Sequence, residues 1–188
     1  MQKPFLPIAV SLLFTPLGLN ANVVSDLVAD GGFETTINPN PGTNAVGVWE
    51  SIETNNSSTQ AEGTYVRSGS NAVAFQFYFD NPYVTQNLGT QVVAGKDYAY
   101  DFWVTAAEPG SNTAASTIDF EIWTSPTVNG AFALAKQVTI TVADTTGTFT
   151  QEAGNIPAAD LLGRVGEFMQ IRFQSNGGRK DRIFIDDV

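Results

Sequence analysis

The side chains best equipped for chemistry in this chain are the carboxylates Asp101, Asp119 and Glu121, the indoles Trp103 and Trp123, and Tyr78, Gln76 and Arg172. All lie in segments where apolar and polar residues alternate, and a period of two puts alternate residues on one face of a strand. In 98–104 this separates Tyr98, Tyr100, Phe102 and Val104 from Ala99, Asp101 and Trp103. In 118–123 it separates Ile118, Phe120 and Ile122 from Asp119, Glu121 and Trp123. Met169, Ile171 and Phe173 part likewise from Gln170, Arg172 and Gln174, and Val73, Phe75 and Phe77 from Gln76 and Tyr78. The first two runs are joined by a short connection, and an antiparallel hairpin turning near Ser111 is expected. That register sets Trp103 across from Asp119 and Asp101 beside Glu121. One sheet face then gathers Trp, Tyr, Gln, Arg and carboxylates, with a salt bridge from Arg172 to Glu121 or Asp101 as its plainest use.

Other chemistry is closed by composition. The chain has no Cys and no His, which removes thiolate nucleophiles, imidazole bases and nitrogen or sulfur metal ligands. Two carboxylates at a set separation suffice for glycoside hydrolysis, but any acidic sheet face offers such a pair, and proximity without a cleft is a weak warrant. No catalytic residue is assigned, and the chain is expected not to be an enzyme. The formal net charge is −10, from nine Lys and Arg against nineteen Asp and Glu. A phosphate backbone needs a basic footprint and anionic headgroups repel acid, so neither nucleic acid nor direct lipid binding is expected. Trp49 is expected in the core.

The elements that must position these residues are strands. Residues 1–21 read as a signal peptide, with Lys3 ahead of the apolar run Phe5–Leu19 and a small residue, Ala21, for cleavage. From 22 to 188 the chain reads as one domain, secreted to the extracellular space or cell surface. Alternating runs at 71–79, 84–88, 98–106, 116–124, 137–142, 167–174 and 182–188 are separated by turn clusters such as Asp80-Asn81-Pro82 and Val128-Asn129-Gly130. Ile156–Gly163, with Pro157 near its first position, is the one helical stretch expected.

Asp30-Gly31-Gly32-Phe33-Glu34, then Trp49, Ser68-Gly69-Ser70-Asn71-Ala72, Gln86-Asn87-Leu88, Ala94-Gly95-Lys96-Asp97-Tyr98, Phe102-Trp103-Val104 and Phe184-Ile185-Asp186-Asp187-Val188 follow one another in a meaningful order. The order resembles galactose-binding-like jelly-roll domains, in particular carbohydrate-binding modules of families four, nine, sixteen and twenty-two. The resemblance implies an all-β jelly-roll β-sandwich of two antiparallel sheets. It also implies a structural calcium ion held by the Glu34 and Asp186 carboxylates, with Gly32 and Asn71 as carbonyl donors, a mixture calcium accepts. It implies a polysaccharide or oligosaccharide partner. Sugars stack apolar C–H faces on aromatic rings and exchange hydrogen bonds with planar polar groups. Trp103, Trp123 and Tyr78 would be the platforms, and Asp101, Glu121, Gln76 and Arg172 the polar partners. An exposed Trp beside Glu121 or Arg172 in a groove is the arrangement this predicts. The same resemblance extends to exported bacterial proteins with a Pro-Glu-Pro sorting tail. It therefore leaves open a structural cell-surface or matrix protein without sugar specificity, and a C-terminal end that is truncated at Val188.

Overall fold

A computed structural model describes residues 22–35, 37–38, 42–52, 59–62, 65–75, 82–107, 116–142, 147–176 and 182–188. The expected signal peptide, Gln76 and Tyr78 lie outside the described residues. The strands are β1 (Asn22–Val23), β2 (Trp49–Ile52), β3 (Thr59–Glu62), β4 (Ala72–Phe75), β5 (Tyr83–Gln91), β6 (Tyr98–Ala107), β7 (Ser116–Ser125), β8 (Ala133–Val142), β9 (Thr150–Ile156), β10 (Phe168–Ser175) and β11 (Arg182–Asp186). They form two sheets packed face to face. The first runs β1-β6-β11-β4-β3 with β9 also on β6, and the second runs β2-β5-β10-β7-β8. Among the described residues all pairings between these strands are antiparallel except the two-residue contact of β1 with β6. This is the β-sandwich expected from the alternating runs, in the jelly-roll form that the resemblance implies.

The apolar halves of those runs make the layer between the sheets. Phe102 of the first sheet meets Phe173 and Phe120 of the second, with ring centroids 4.9 and 6.0 Å apart. Trp49 is 3% exposed and packs on Phe33, 4.7 Å between centroids. Two sheets about 10 Å apart need interdigitating side chains of this size to exclude water.

The expected hairpin between the runs at 98 and 116 does not form. β6 belongs to the first sheet, flanked by β9 and β11, while β7 belongs to the second, between β10 and β8. Their apolar faces instead stack across the core, with Tyr100 on Phe120 at 4.6 Å. Alternation fixes which face of each strand is apolar, and burying two such faces works equally well side by side or opposed. The helical stretch appears as a 3₁₀ helix, Ala158–Arg164, with Pro157 at its N-cap position and Leu161 buried. Among the described residues no helix is long and apolar enough to cross a membrane.

Candidate functional site

The outer face of the second sheet carries the polar halves of five strands in register. One row runs Glu50, Thr85, Arg172, Glu121 and Gln137 across β2, β5, β10, β7 and β8. The row on one side holds Asn87, Gln170 and Trp123, and that on the other Tyr83, Gln174, Asp119 and Thr139. Tyr83 and Trp123 thus stand diagonally on opposite sides of Arg172, within reach of a long side chain. The guanidinium carbon of Arg172 lies 3.8 Å from the centroid of each ring. Such contacts are worth about 1–2 kcal/mol when partly desolvated.

Part of this face lines a cleft of about 200 Å³, bordered by Gly42, Asn44, Glu50, Tyr83, Thr85, Phe132, Gln170 and Arg172. Its wall is built from two loops that the sequence brings together only in three dimensions. Asn44, whose φ of +48° suits Asn better than most residues, donates from Nδ2 to the Gly130 carbonyl at 3.2 Å. Its Oδ1 accepts from Gln170 Nε2 at 3.2 Å, and its carbonyl accepts from Asn87 Nδ2 at 2.8 Å. Glu50 is 2% exposed, and its carboxylate accepts from the amides of Gly42 and Ala45 and the Thr43 hydroxyl. A buried carboxylate needs such donors to replace the hydration it has lost.

The two acids on β7 are occupied in the same way. Glu121 accepts from Trp123 Nε1 at 2.6 Å, and Asp119 accepts from Thr139 Oγ1 at 2.6 Å and from Asn176 Nδ2. Burial pushes the Glu121 carboxyl above its ordinary range; the Trp123 hydrogen bond and the Arg172 charge oppose this, while Asp119 adds to it. Burial likewise pulls the Arg172 guanidinium below its usual value, against the pull of Tyr83 and Glu121. Arg172 makes no ion pair with Glu121 within 4.0 Å, and its buried Nε has no hydrogen-bond partner among the described residues. The salt bridge weighed from sequence is replaced by ring stacking.

Of the residues anticipated from sequence, Trp123, Glu121 and Arg172 therefore come together. Trp103 and Asp101 do not join them, because β6 lies in the other sheet. Trp103 sits half-buried beneath the Arg67 guanidinium, 3.8 Å from its centroid. Asp101 accepts from Gln151 Nε2 at 3.1 Å. The expected proximity of Asp101 to Glu121 falls with the hairpin. Sequence reasoning missed Glu50, Tyr83, Thr85, Asn44, Phe132 and Gln170. Trp49 in the core already sends Glu50 to the opposite face, and Val84 inward sends Tyr83 and Thr85 outward.

The residues anticipated for calcium also meet, at the chain ends. Asp186 is fully buried. Its Oδ2 accepts from the amides of Arg67 and Ser68 at 2.8 and 3.1 Å, and its Oδ1 from that of Asp187 at 2.9 Å. Glu34 Oε1 accepts from the amides of Ser70 and Asn71 at 2.8 and 3.2 Å. A methyl at Gly32 would lie 3.8 Å from Glu34 Cγ and 3.9 Å from Asp186 Oδ1, so both acids border this glycine. Among the described residues no three acids converge as a metal-binding group. A calcium ion here would need backbone carbonyls to complete its shell, which its chemistry allows. Gly69, at φ +65°, faces the same carboxylate, and a methyl there would lie 2.0 Å from Glu34 Oε1. Gly69→Ala is expected to lower unfolding free energy by about 1–2 kcal/mol, through left-handed strain and a displaced carboxylate. Urea titration measures it, and an unchanged midpoint would mean that the loop simply gives way.

No family model and no curated protein matches this chain. Solved structures do. A family 16 carbohydrate-binding module aligns with 85% of this chain and 95% of its own, at TM-score 0.52 and 12% identity. The fold is that of the jelly-roll carbohydrate-binding modules. A family 22 xylan-binding domain from Paenibacillus barcinonensis aligns over 73% of this chain and 81% of its own, at TM-score 0.50 and 11% identity. The same scaffold also serves a cyclase from Fischerella sp., which covers 86% of this chain and 92% of its own at TM-score 0.53 and 12% identity. At these identities the likeness concerns the fold, and function has to be argued from the site.

Proposed function

We propose that this chain is a secreted, non-catalytic carbohydrate-binding module that holds a polysaccharide or oligosaccharide in the cleft on the outer face of the second sheet. The observation that carries this reading is the pairing of aromatic rings, Tyr83 and Phe132, with Arg172, Gln170, Asn44 and Thr85 around one open cleft, with Trp123 stacked on the Arg172 that lines it. Apolar walls with a few placed polar groups are what a sugar requires. The carboxylates argue against catalysis, since Asp119, Glu121 and Glu50 all spend oxygens on internal donors. A calcium ion between Glu34 and Asp186 belongs to this reading as a structural clamp on the chain ends.

Titration calorimetry of the mature chain with soluble glycans tests it. Binding of at least one class is expected, weakened about tenfold or more by Tyr83→Ala or Trp123→Ala, as for aromatic anchors at other interfaces. Silence across the panel would sink the glycan reading in favour of a structural cell-surface or matrix role. Glycan cleavage would overturn the non-catalytic part.

A further inference from the structure

The hydrogen-bonding groups of the cleft are unevenly spent. Its acceptors are largely used: Glu50 takes two amides and a hydroxyl, and the Asn44 oxygens take Gln170 and Asn87, while Glu121, next to Arg172 in the sheet, takes the Trp123 indole. Thr85 gives its hydroxyl proton to the Ile171 carbonyl at 2.7 Å. The donors of Arg172 are not used. Its guanidinium forms no hydrogen bond or ion pair among the described residues, and its Nε is shut away from water as well. A charged group with unpaired donors in a partly buried place is costly to hold, and an acceptor that reaches the terminal nitrogens of the guanidinium offsets part of that cost.

The rings decide what kind of acceptor fits. Tyr83 and Trp123 cover the guanidinium on two sides at 3.8 Å. With Nε enclosed, an incoming group must approach along the edge of the two terminal nitrogens, in the plane of the guanidinium. A planar group with two oxygens matches that edge in a bidentate pair, and a carboxylate is such a group. From these observations, and resting on the glycan reading above, we infer that the cleft selects acidic glycans and seats a uronic-acid carboxylate on the Arg172 edge. The Gln170 and Asn44 amides, at the cleft border, face the sugar hydroxyls. Phe132 and the outer edge of Tyr83 offer the apolar wall. The formal net charge of −10 opposes acidic ligands at long range. That repulsion is screened beyond about 8 Å at physiological salt, whereas the contact with Arg172 is not.

The test compares one sugar with and without its charge. Oligoglucuronate and oligogalacturonate, their methyl esters, and neutral xylan and galactan oligosaccharides are titrated into the full chain. At least one uronate is expected to bind about tenfold or more tightly than its own methyl ester, the range of a charge-assisted bidentate pair. Arg172→Gln is expected to erase that preference, and Arg172→Lys to restore only part of it because the fork is gone. The comparison of acid with ester needs no variant, so misfolding of a variant cannot blur it. Equal or tighter binding of the esters, or binding of neutral oligosaccharides alone, overturns the acidic-glycan inference while the glycan reading stands. No binding by any sugar overturns both.

Discussion

Phe173→Ala is expected to lower the unfolding free energy by about 3–5 kcal/mol, the cost of emptying a large aromatic site in a packed core. Phe173 is fully buried at the centre of the inter-sheet layer, 4.9 Å from Phe102, 5.3 Å from Phe120 and 6.4 Å from Trp49 between centroids. Those three rings come from β6, β7 and β2, so the phenyl joins the two sheets and leaves a void that no single neighbour can fill. The loss is a large share of the 5–15 kcal/mol of a typical domain. It must also be felt in the cleft, because Arg172 precedes Phe173 on β10 and faces outward from the same strand. Guanidinium denaturation followed by tryptophan fluorescence measures the change, and Phe173→Leu should recover more than half of it. A loss below about 1.5 kcal/mol would mean that the sheets close over the gap, contrary to the stiffness expected of such a core.

The same strand shows how far the sequence speaks. Its alternation assigned Met169, Ile171 and Phe173 inward and Gln170, Arg172 and Gln174 outward, and the structure agrees. β7 reads equally well, and that is why Glu121, Trp123 and Arg172 meet as expected. What alternation could not supply is which strands are neighbours. Trp103 has the residue type and the outward position of a platform, but its strand lies in the other sheet. There Arg67 lies over it, while Tyr65 of the same segment packs on Phe184 at 5.0 Å. Asn44 was illegible for another reason. It sits in a Pro-, Gly- and Asn-rich loop with no periodicity, and its role comes from partners as distant in sequence as Gly130 and Gln170. Tyr83 and Glu50 fall between. Their faces follow from Val84 and Trp49, but their closeness to Arg172 needs the order β2-β5-β10, which local pattern does not encode.

Asp186 should give the second large effect, and one that depends on both pH and calcium. Asp186→Ala strips an acceptor from three amides, those of Arg67, Ser68 and Asp187, and is expected to cost about 3 kcal/mol or more. The milder Asp186→Asn keeps one oxygen and isolates the charge. Burial raises the Asp186 carboxyl above its ordinary value, against the three amide hydrogen bonds and with the Asp187 charge adding to the rise. The folded chain therefore binds this proton more tightly than the unfolded chain does. Below the unfolded value both states are protonated and the group costs nothing. As pH climbs from there through the raised folded value, the buried charge progressively weakens the fold, and the full penalty persists at neutral pH. In chelator, the melting temperature of the wild type should gain more on acidification from pH 7 than that of Asp186→Asn. The difference between the two curves is the share belonging to this carboxylate. In the proposed calcium clamp the same charge is a ligand. An ion held by Asp186 and Glu34 binds only the folded chain, so it should raise the wild-type midpoint at pH 7 in proportion to the logarithm of its concentration. It should leave Asp186→Asn nearly unmoved, and its benefit should fade as acid protonates the ligands. A wild type indifferent to millimolar calcium would remove the ion from the proposal, while the acid-side difference would still report the buried charge by itself.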